Sequence, residues 1–288
     1  MKQYDMTLLG GDARIAYMAP YLLEKGYRVI CYGIEDILEE DENGLIYAKD
    51  WQEAVEQSDC IIGGIPLFKD GNVFSKQDVP ELKANELYKC LEKEQTLFGG
   101  VIPKDFADLC KEKEIRYYDF ISDEPLAIFN AVATAEGIIL EALKHQKTNI
   151  QGSKSLVLGY GRCGKVLAEK LKGMGAEVTV CSRCEIELAY ADVFGLKTFP
   201  LHALKEKIHE YEYIYNTIPV VLIGKPVLTQ MRRDALILDI ASGLGGVDYA
   251  SVKETGIAVY HCSGLPGKYA PKTSAERLAD FVIHKIKQ

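Results

Sequence analysis

SLVLGYGRCGKVLA, residues 155–168, places three glycines in the spacing G-x-G-x-x-G between an apolar segment and a segment with helical periodicity. We predict a strand, a tight turn and a helix there. The first glycine permits the turn, the second lets backbone N–H groups approach a pyrophosphate, and the third lets the helix lie close to the strand. Because the positive end of the helix faces the turn, the stretch predicts a dinucleotide site formed by Gly159, Tyr160, Gly161, Arg162, Cys163 and Gly164.

The residue type at the end of the next strand, about 20 residues further on, indicates whether the site binds NAD or NADP. An acidic residue there would bind the ribose of NAD. This chain has Ser182 and Arg183 at that point. A hydroxyl and a guanidinium bind a 2′-phosphate, which a carboxylate would repel. The sequence therefore favours NADP, with NAD as the alternative. Arg183 has a second interpretation, in which it stacks on the adenine or lies in solvent.

Two further strand ends carry polar and small residues, in NTIP at residues 216–219 and in DIASG at residues 239–243. Ligands of open α/β sheets collect at the carboxyl ends of the strands. We expect contacts with the ribose and nicotinamide from Thr217, Ile218, Pro219, Ala241 and Ser242. Ordinary turn chemistry explains the same residues equally well.

Short apolar segments alternate with helical ones on both sides of this stretch. Strands are predicted in the first half at residues 4–9, 28–32, 60–64, 96–99 and 115–119, and in the second at 155–158, 177–181, 213–216, 235–239 and 257–260. Helices are predicted at 16–25 and 106–113. Such alternation is typical of an α/β protein, here with two doubly wound parallel sheets, of which the second is the Rossmann domain.

The length of 288 residues exceeds that of a usual single domain, so we expect two domains that share a cleft. The predicted division is a substrate domain at 1–128, a linker helix at 129–146, the Rossmann domain at 147–268, and a final helix at 269–288 that packs back across the domains. The acidic run EEDE at residues 39–42 is interpreted as a solvated turn.

Composition excludes several classes of protein. A net charge of −8 and the lack of a basic stripe argue against nucleic acid as a partner. The start of the chain has no signal-peptide pattern, and we found no apolar run near the roughly 18 residues that span a bilayer, so a cytoplasmic protein is expected. Eight cysteines are then expected to be reduced, and the one close pair, Cys181 and Cys184, lacks the further ligands of a metal site.

In the first half, GGDAR at residues 10–14 ends the first strand without a third spaced glycine. A smaller anion than a nucleotide is expected there. The guanidinium of Arg14 can bind a carboxylate with two hydrogen bonds. Alternatively, Arg14 lies in solvent or pairs with Asp12.

Five motifs, GGDAR, NAVATAEG, GYGRCG followed by CSR, NTIP and GLPGKYAPKTSAERLAD, resemble in their order the A subunits of dipicolinate synthase from spore-forming bacteria. The resemblance spans nearly the whole chain, which departs from the usual residues at Ile15 and at Ala131-Val132-Ala133. More distantly, the chain is similar to the D-2-hydroxyacid and alanine dehydrogenases. The resemblance implies oxidation of a small cyclic dicarboxylate to dipicolinate in the mother cell of a sporulating bacterium, beside a flavoprotein-like partner, the B subunit. We also expect a homo-oligomer.

For such a substrate, the protein needs to hold two carboxylates and remove one proton. The resemblance then implies Arg14 and Lys272 as carboxylate clamps, with Thr273 beside Lys272. Further substrate contacts are expected from Gly11, Asn130, Thr134 and Glu136. Two residues compete for the role of general base, His261 and Asp12, and a purely structural His261 is equally compatible with the sequence.

Two other functions remain open from the sequence alone. One is another NAD(P)-dependent dehydrogenase acting on a 2-hydroxyacid or an amino acid. The other is a non-catalytic sensor of a dinucleotide, which would bind the cofactor without turnover.

Overall fold

The computed structural model describes residues 2–35 and 45–288, which form two compact units. The first unit comprises the chain up to Ala127 together with Ala270–Gln288, and the second is Ile128–Tyr269. Each unit contains a six-stranded sheet whose paired strands are all parallel, and helices follow most strands. The predicted α/β class with two doubly wound sheets is confirmed. The acidic run at residues 39–42 lies outside the described residues.

The sheet of the first unit has the strand order β3-β2-β1-β4-β7-β8. The unit also holds a two-stranded hairpin, β5 and β6, which the sequence analysis did not predict. The elements of this part of the chain are β1 Met6–Leu9, α1 Ala13–Glu24, β2 Val29–Tyr32, β3 Leu45–Tyr47, α2 Trp51–Glu56, β4 Cys60–Gly63, β5 Phe68–Lys69, β6 Asn72–Val73, α3 Ala84–Cys90, β7 Thr96–Gly99, α4 Lys104–Glu112, β8 Arg116–Asp119 and α5 Glu124–His145.

The sheet of the second unit has the order β11-β10-β9-β12-β13-β14. Its elements are β9 Lys154–Leu158, α6 Arg162–Gly173, β10 Glu177–Ser182, α7 Glu185–Val193, β11 Lys197–Pro200, α8 Leu204–Lys207, β12 Tyr213–Asn216, α9 Lys225–Leu228, β13 Leu236–Asp239, α10 Tyr249–Thr255, β14 Ala258–His261 and α11 Leu265–Tyr269, with short 3-10 turns at Leu201–Ala203 and Ile208–Glu210. Strand β9 lies next to β12, and the connections after these two strands run in opposite directions along the sheet, from β9 to β10 and from β12 to β13. That arrangement opens a crevice at the carboxyl end of β9.

Burial explains why these strands are apolar on both faces. Along β9, Val157 belongs to one apolar cluster, whereas Leu156 and Leu158 belong to the cluster on the other face. A parallel sheet covered by helices on both faces requires this pattern, because successive side chains point in opposite directions.

Helix α5 begins earlier than the sequence analysis predicted, at Glu124 instead of residue 129. The carboxylate of Asp123 accepts a hydrogen bond from the amide of Leu126 over 3.0 Å, which caps the first turn. Pro125 in that turn has no backbone N–H, so it leaves no donor without an acceptor. The residues Asp123, Glu124 and Pro125 are therefore a start signal that apolar periodicity alone did not reveal.

Contrary to our interpretation of the sequence, α5 is long and apolar enough to cross a membrane by length and composition. An 18-residue segment of it has a mean hydropathy of 1.6, and half of that segment is buried inside the protein. Core helices of globular proteins pass the same test. Ile138, Ile139 and Ala142 of this helix pack in the core of the second unit.

The last helix, α12 Pro271–Ile286, belongs to the first unit, where it packs against α1. Leu278 and Val282 of α12 lie in the same buried cluster as Met18 and Leu22 of α1. The final residues of the chain thus complete the core that its first residues begin.

Candidate functional site

The glycine turn after β9 has the backbone that the spacing predicts. Gly159 has a φ of +90°, and a Cβ there would lie 2.5 Å from Oγ1 of Thr217. A Cβ on Gly164 would lie 2.1 Å from the carbonyl oxygen of Gly159. Real atoms do not approach so closely, so the helix can rest on the turn only if residue 164 is glycine. The first and third glycines therefore carry the tasks that dinucleotide folds assign to them.

The start of α6 is open for an anion. Gly161 is its N-cap, and a Cβ built there meets no atom within 4 Å. Among residues 2–35 and 45–288, no side chain caps this helix start. The first amides of a helix have no partner inside it, so they point towards this open space with the positive end of the helix dipole. The residues present therefore fit the pyrophosphate of a dinucleotide.

Two other residues of this turn lie on the first helical positions. Arg162 is exposed, and Cys163 is half-buried. Burial raises the pKa of the Cys163 thiol, while a hydrogen bond to Thr134 opposes that rise. This contact places Thr134 of α5 beside the start of α6, within the second unit.

Tyr160, the second residue of the turn, is directed into the protein. Its ring is 2% exposed and packs in the core of the second unit. Its amide already donates to Oε2 of Glu187 over 3.3 Å. Tyr160 is thus a core residue whose N–H is used inside the chain, and its side chain has little exposed surface for a cofactor.

The hydroxyl of Ser182, which we expected to bind a 2′-phosphate, forms hydrogen bonds within the chain. Its hydroxyl is buried, donates to Oε2 of Glu187 over 2.5 Å, and accepts from the amide of Cys184 over 3.1 Å. A hydroxyl with its proton committed to a carboxylate is a poor donor to a phosphate. Arg183 is exposed beside it. The sequence analysis missed Glu187 because we searched for an acid only at the strand end, and Glu187 lies five residues later, in the first turn of α7.

Asp239 organises the next two strand ends. This fully buried carboxylate accepts from Nδ2 of Asn216 over 2.9 Å and from the amide of Ala241 over 3.1 Å through Oδ1. Through Oδ2 it accepts from the amide of Gly246 over 2.8 Å and from the hydroxyl of Tyr249 over 3.1 Å. Burial and the neighbouring carboxylate raise the pKa of Tyr249, which keeps its donor proton. These four donors hold the loops after β12 and β13 together.

The residues expected to contact ribose and nicotinamide lie on these two loops. The hydroxyl of Thr217 donates to the carbonyl oxygen of Leu158 over 2.8 Å, which ties the β12 loop to the end of β9. Ile218 is half-buried, whereas Pro219 and Ser242 are exposed. Ala241 is buried, and its amide is used by Asp239. The structure thus gathers these residues at one edge of the sheet, with Thr217 and Ala241 holding the loops in shape.

His261, a candidate base, ends β14 at the same edge. Its Nε2 lies 3.2 Å from the carbonyl oxygen of Ala241. A carbonyl only accepts, so Nε2 carries a proton, and Nδ1 is the nitrogen left to take one up. His261 also lines a cavity of about 230 Å³ with Glu141, His145, Ser263 and Lys268.

Glu141 is the buried charge of that cavity. Nζ of Lys268 lies 2.6 Å from its Oε1, and the hydroxyl of Tyr269 donates to the same oxygen. His145 Nε2 lies 3.3 Å from Oε2. The hydrogen bonds from Lys268 and Tyr269 lower the pKa of Glu141 to about 2. The sequence analysis did not select this cluster, because Lys268 and Tyr269 lie about 130 residues from Glu141, a separation that no local pattern bridges.

In the first unit, Asp12 and Arg14 are partners of each other. Nε and Nη2 of Arg14 donate to the two carboxylate oxygens of Asp12 over 2.9 and 2.8 Å, and both residues are buried. Nη2 also donates to the carbonyl oxygen of Ile65 over 2.9 Å. Only Nη1 has no hydrogen bond to a described residue. Asp12 is thereby engaged twice, since it also caps α1, which weakens its candidacy as a base.

The backbone of Gly11, an expected substrate contact, forms hydrogen bonds within the chain. Its amide donates to the carbonyl oxygen of Phe74, and its own carbonyl accepts from the amide of Lys76 over 3.0 Å. A Cβ on Gly10 would lie 2.4 Å from the same Phe74 oxygen. The two glycines therefore allow the segment that follows the β5-β6 hairpin to pack directly against the end of β1.

The remaining expected substrate contacts are distributed over two helices. Asn130 and Thr134 are half-buried on α5, where the Thr134 hydroxyl donates to the carbonyl oxygen of Asn130 over 3.1 Å. Glu136 is exposed, and its Oε1 lies 2.8 Å from Nζ of Lys170 in a surface ion pair. Lys272 and Thr273 are exposed in the first turn of α12, in the first unit.

All eight cysteines are free thiols. Burial raises the pKa of Cys181 to about 12, so its thiol is inert. Within the described residues, no group of three or more His, Cys, Asp or Glu side chains is arranged to hold a metal ion.

The fold and the site define an NAD(P)-dependent oxidoreductase of the dehydrogenase type. Residues 107–250 match the NAD-binding domain of the D-isomer-specific 2-hydroxyacid dehydrogenases, and residues 5–121 match the N-terminal domain of the dipicolinate synthase A subunits. The A subunit of dipicolinate synthase from Bacillus subtilis (strain 168) is 30% identical over 285 residues, which is 98% of this chain and 95% of that protein. The chain belongs to the family of dipicolinate synthase A subunits.

Solved structures agree with this assignment. The crystal structure of the A subunit of dipicolinate synthase from Bacillus halodurans has a TM-score of 0.88 at 26% identity and covers 99% of this chain and 98% of its own. The structure of the same enzyme component from Bacillus subtilis has a TM-score of 0.85 at 28% identity, covering 100% and 97%. An L-alanine dehydrogenase shares the fold, with a TM-score of 0.62 at 16% identity and coverage of 99% and 90%.

Proposed function

We propose that the protein oxidises a dihydrodipicolinate-type cyclic diacid to dipicolinate during sporulation, with a nicotinamide dinucleotide as the hydride acceptor. The observation that carries the proposal is an intact dinucleotide turn in a chain that matches a dipicolinate synthase A subunit over 98% of its length. Gly164, where a Cβ would lie 2.1 Å from a backbone oxygen, supports cofactor binding, and the family match supports turnover.

The proposed reaction forms an aromatic ring, which drives it forward. The hydride leaves from the ring carbon that is bonded both to a carboxylate and to the ring nitrogen. The proton leaves from the ring carbon next to it. Bound nicotinamide supplies the hydride acceptor. The protein therefore has three tasks, which are to hold the carboxylates, to orient the ring and to accept one proton.

The residues of this chain are unequal candidates for those tasks. Arg14 keeps its Nη1 for a carboxylate, and its other donors fix the guanidinium through Asp12 and Ile65. Lys272 and Thr273, in the first turn of a 16-residue helix, are the proposed second carboxylate contact. Asn130 and Thr134 are proposed to contact the substrate. His261 is the preferred base, because Nδ1 is left to accept a proton while Asp12 is already paired.

The cofactor and the partners belong to the same proposal. The sequence favoured NADP through Ser182 and Arg183, but the carboxylate of Glu187 beside Ser182 opposes a 2′-phosphate. The relatives are described as the A subunit of their enzyme, so we propose that this chain has a flavoprotein-like B subunit for its partner. A homo-oligomer in the cytoplasm of the mother cell completes the proposal.

A coupled assay tests the proposed reaction. Purified protein would receive aspartate semialdehyde, pyruvate, the upstream synthase and either dinucleotide, with and without the B subunit, and dipicolinate and reduced nicotinamide would be followed together. Formation of both in equal amounts, dependent on this chain, is the expected result. If neither forms even with an active partner, the substrate assignment is wrong, and another diacid or a sensor role takes its place.

A further inference from the structure

Glu187 connects the two parts of the chain that flank the adenosine end of a dinucleotide site. It lies in the first turn of α7, and its Oε2 accepts from the amide of Tyr160 over 3.3 Å and from the hydroxyl of Ser182 over 2.5 Å. Tyr160 belongs to the glycine turn, and Ser182 ends the second strand of the fold. In dinucleotide folds the adenosine ribose lies between these two places.

The position of Glu187 is fixed by its neighbours. Ser182 is buried, and the amide of Cys184 donates to its oxygen over 3.1 Å, so its proton is directed at Glu187. Both contacts use the same carboxylate oxygen. Oε1 of Glu187 has no hydrogen-bond partner in the part of the chain that the structure describes, and the residue is only half-buried. One acceptor of an oriented carboxylate is therefore left for a ligand.

An oriented carboxylate at this place distinguishes the two nicotinamide dinucleotides. It accepts a hydrogen bond from a free ribose hydroxyl and repels a phosphate on the same oxygen. Arg183, which follows Ser182 in the sequence, has the opposite sign, but it is exposed, where water and salt screen its charge. The half-buried carboxylate is screened less than the exposed guanidinium.

We propose that Glu187 is the residue that determines cofactor specificity, and that it makes the protein prefer NAD to NADP. Ser182 acts through Glu187 as its positioning residue instead of binding the cofactor itself. This inference rests on the proposed function, since it presumes that the glycine turn holds a dinucleotide.

The test is a binding measurement that does not require turnover. Dissociation constants of NADH and NADPH would be measured by nicotinamide fluorescence and by calorimetry for the full chain, for Glu187→Gln and for Glu185→Gln. The glutamine keeps the shape and removes the charge. Glu185 is the matched control, because it lies exposed in the same helical turn without a contact to Ser182 or Tyr160.

We expect the unmodified protein to bind NADH about tenfold more tightly than NADPH, as repulsion of like charges at a binding site implies. Glu187→Gln should reduce that ratio by about tenfold or more, chiefly by tightening NADPH, and Glu185→Gln should leave it unchanged. Tighter binding of NADPH by the unmodified protein would overturn the inference. So would an equal loss of both affinities in Glu187→Gln, the signature of a merely structural cap. Absence of binding by either dinucleotide would instead overturn the proposed function, and this inference with it.

Discussion

Asn216 and Asp239 end neighbouring strands of the second unit, and the amide of one donates to the carboxylate of the other over 2.9 Å. Because Asp239 also receives two backbone amides and a tyrosine hydroxyl, one buried side chain sets the shape of two loops. Those loops lie where ligands of open α/β sheets bind. Their shape is thus determined by a residue that itself has no exposed surface.

Replacing this carboxylate should loosen both loops. Asp239→Asn puts an amide where two donors point, so we expect unfolding to become easier by about 2–4 kcal/mol and dinucleotide binding to weaken. Urea unfolding and NADH titration measure the two effects. Asp192→Asn, on the exposed face of α7, is the control and should change neither. Unaltered stability of Asp239→Asn would show that the loops are held by other contacts.

Substitution of Gly164, the third glycine, tests the geometry of the dinucleotide turn. Gly164→Ala places a Cβ 2.1 Å from the carbonyl oxygen of Gly159, so α6 must shift away from the turn, and we expect affinity for NADH to fall by an order of magnitude or more. Gly173→Ala is the matched control at the end of the same helix, where a Cβ meets nothing within 4 Å. It should raise stability by about 0.5–1 kcal/mol and leave binding unchanged. Equal effects of the two substitutions would contradict this account of the turn.

Substitution of Arg14 should lower turnover without changing cofactor binding. Arg14→Lys keeps the positive charge and loses the paired hydrogen bonds to Asp12, so turnover should fall at least about tenfold with an unchanged dissociation constant for NADH. The exposed pair of Arg28 and Asp5 supplies the control, Arg28→Lys, for which normal turnover is expected. A parallel loss of NADH affinity in Arg14→Lys would mean that the residue maintains the fold instead of the substrate site.

Acid should weaken the second unit through Glu141. Its pKa is lowered to about 2, below the usual value of 4.5, so the stabilisation it gives is complete above pH 5 and is lost as the pH falls from about 5 to 2. Since Lys268 is half-exposed and water screens the pair, we expect about 1–2 kcal/mol. Urea unfolding at pH 7 and pH 3 should therefore show a smaller pH dependence for Glu141→Gln than for the unmodified chain. Glu136→Gln, from an exposed pair, should retain the full dependence.

Local patterns predicted much of this molecule. Thr96–Gly99 and Tyr213–Asn216 are strands with the predicted bounds, because buried parallel strands are short apolar runs that little else resembles. Leu45–Tyr47 escaped prediction, since three residues with partial exposure at a sheet edge carry little apolar signal.

The site was predicted less completely than the fold. Glycine spacing located the turn, because backbone geometry there admits one residue type. Hydrogen bonds between side chains could not be predicted from the sequence, as the pairs Ser182 with Glu187 and Glu141 with Lys268 show. Each of these residues has an ordinary interpretation alone, and only their proximity in space gives them a role.

Hydride transfer itself can be followed with a deuterium label on the substrate. Aspartate semialdehyde carrying deuterium on its α-carbon would be converted in the coupled reaction with unlabelled pyruvate and NAD, and the reduced nicotinamide and dipicolinate would be analysed by mass spectrometry. The account predicts one deuterium in the reduced nicotinamide for each dipicolinate formed, and slower formation of both products with Gly164→Ala when NAD is below saturation. Dipicolinate that forms without deuterated nicotinamide, through oxidation by air or by a partner, would contradict the claim that this chain is the dehydrogenase.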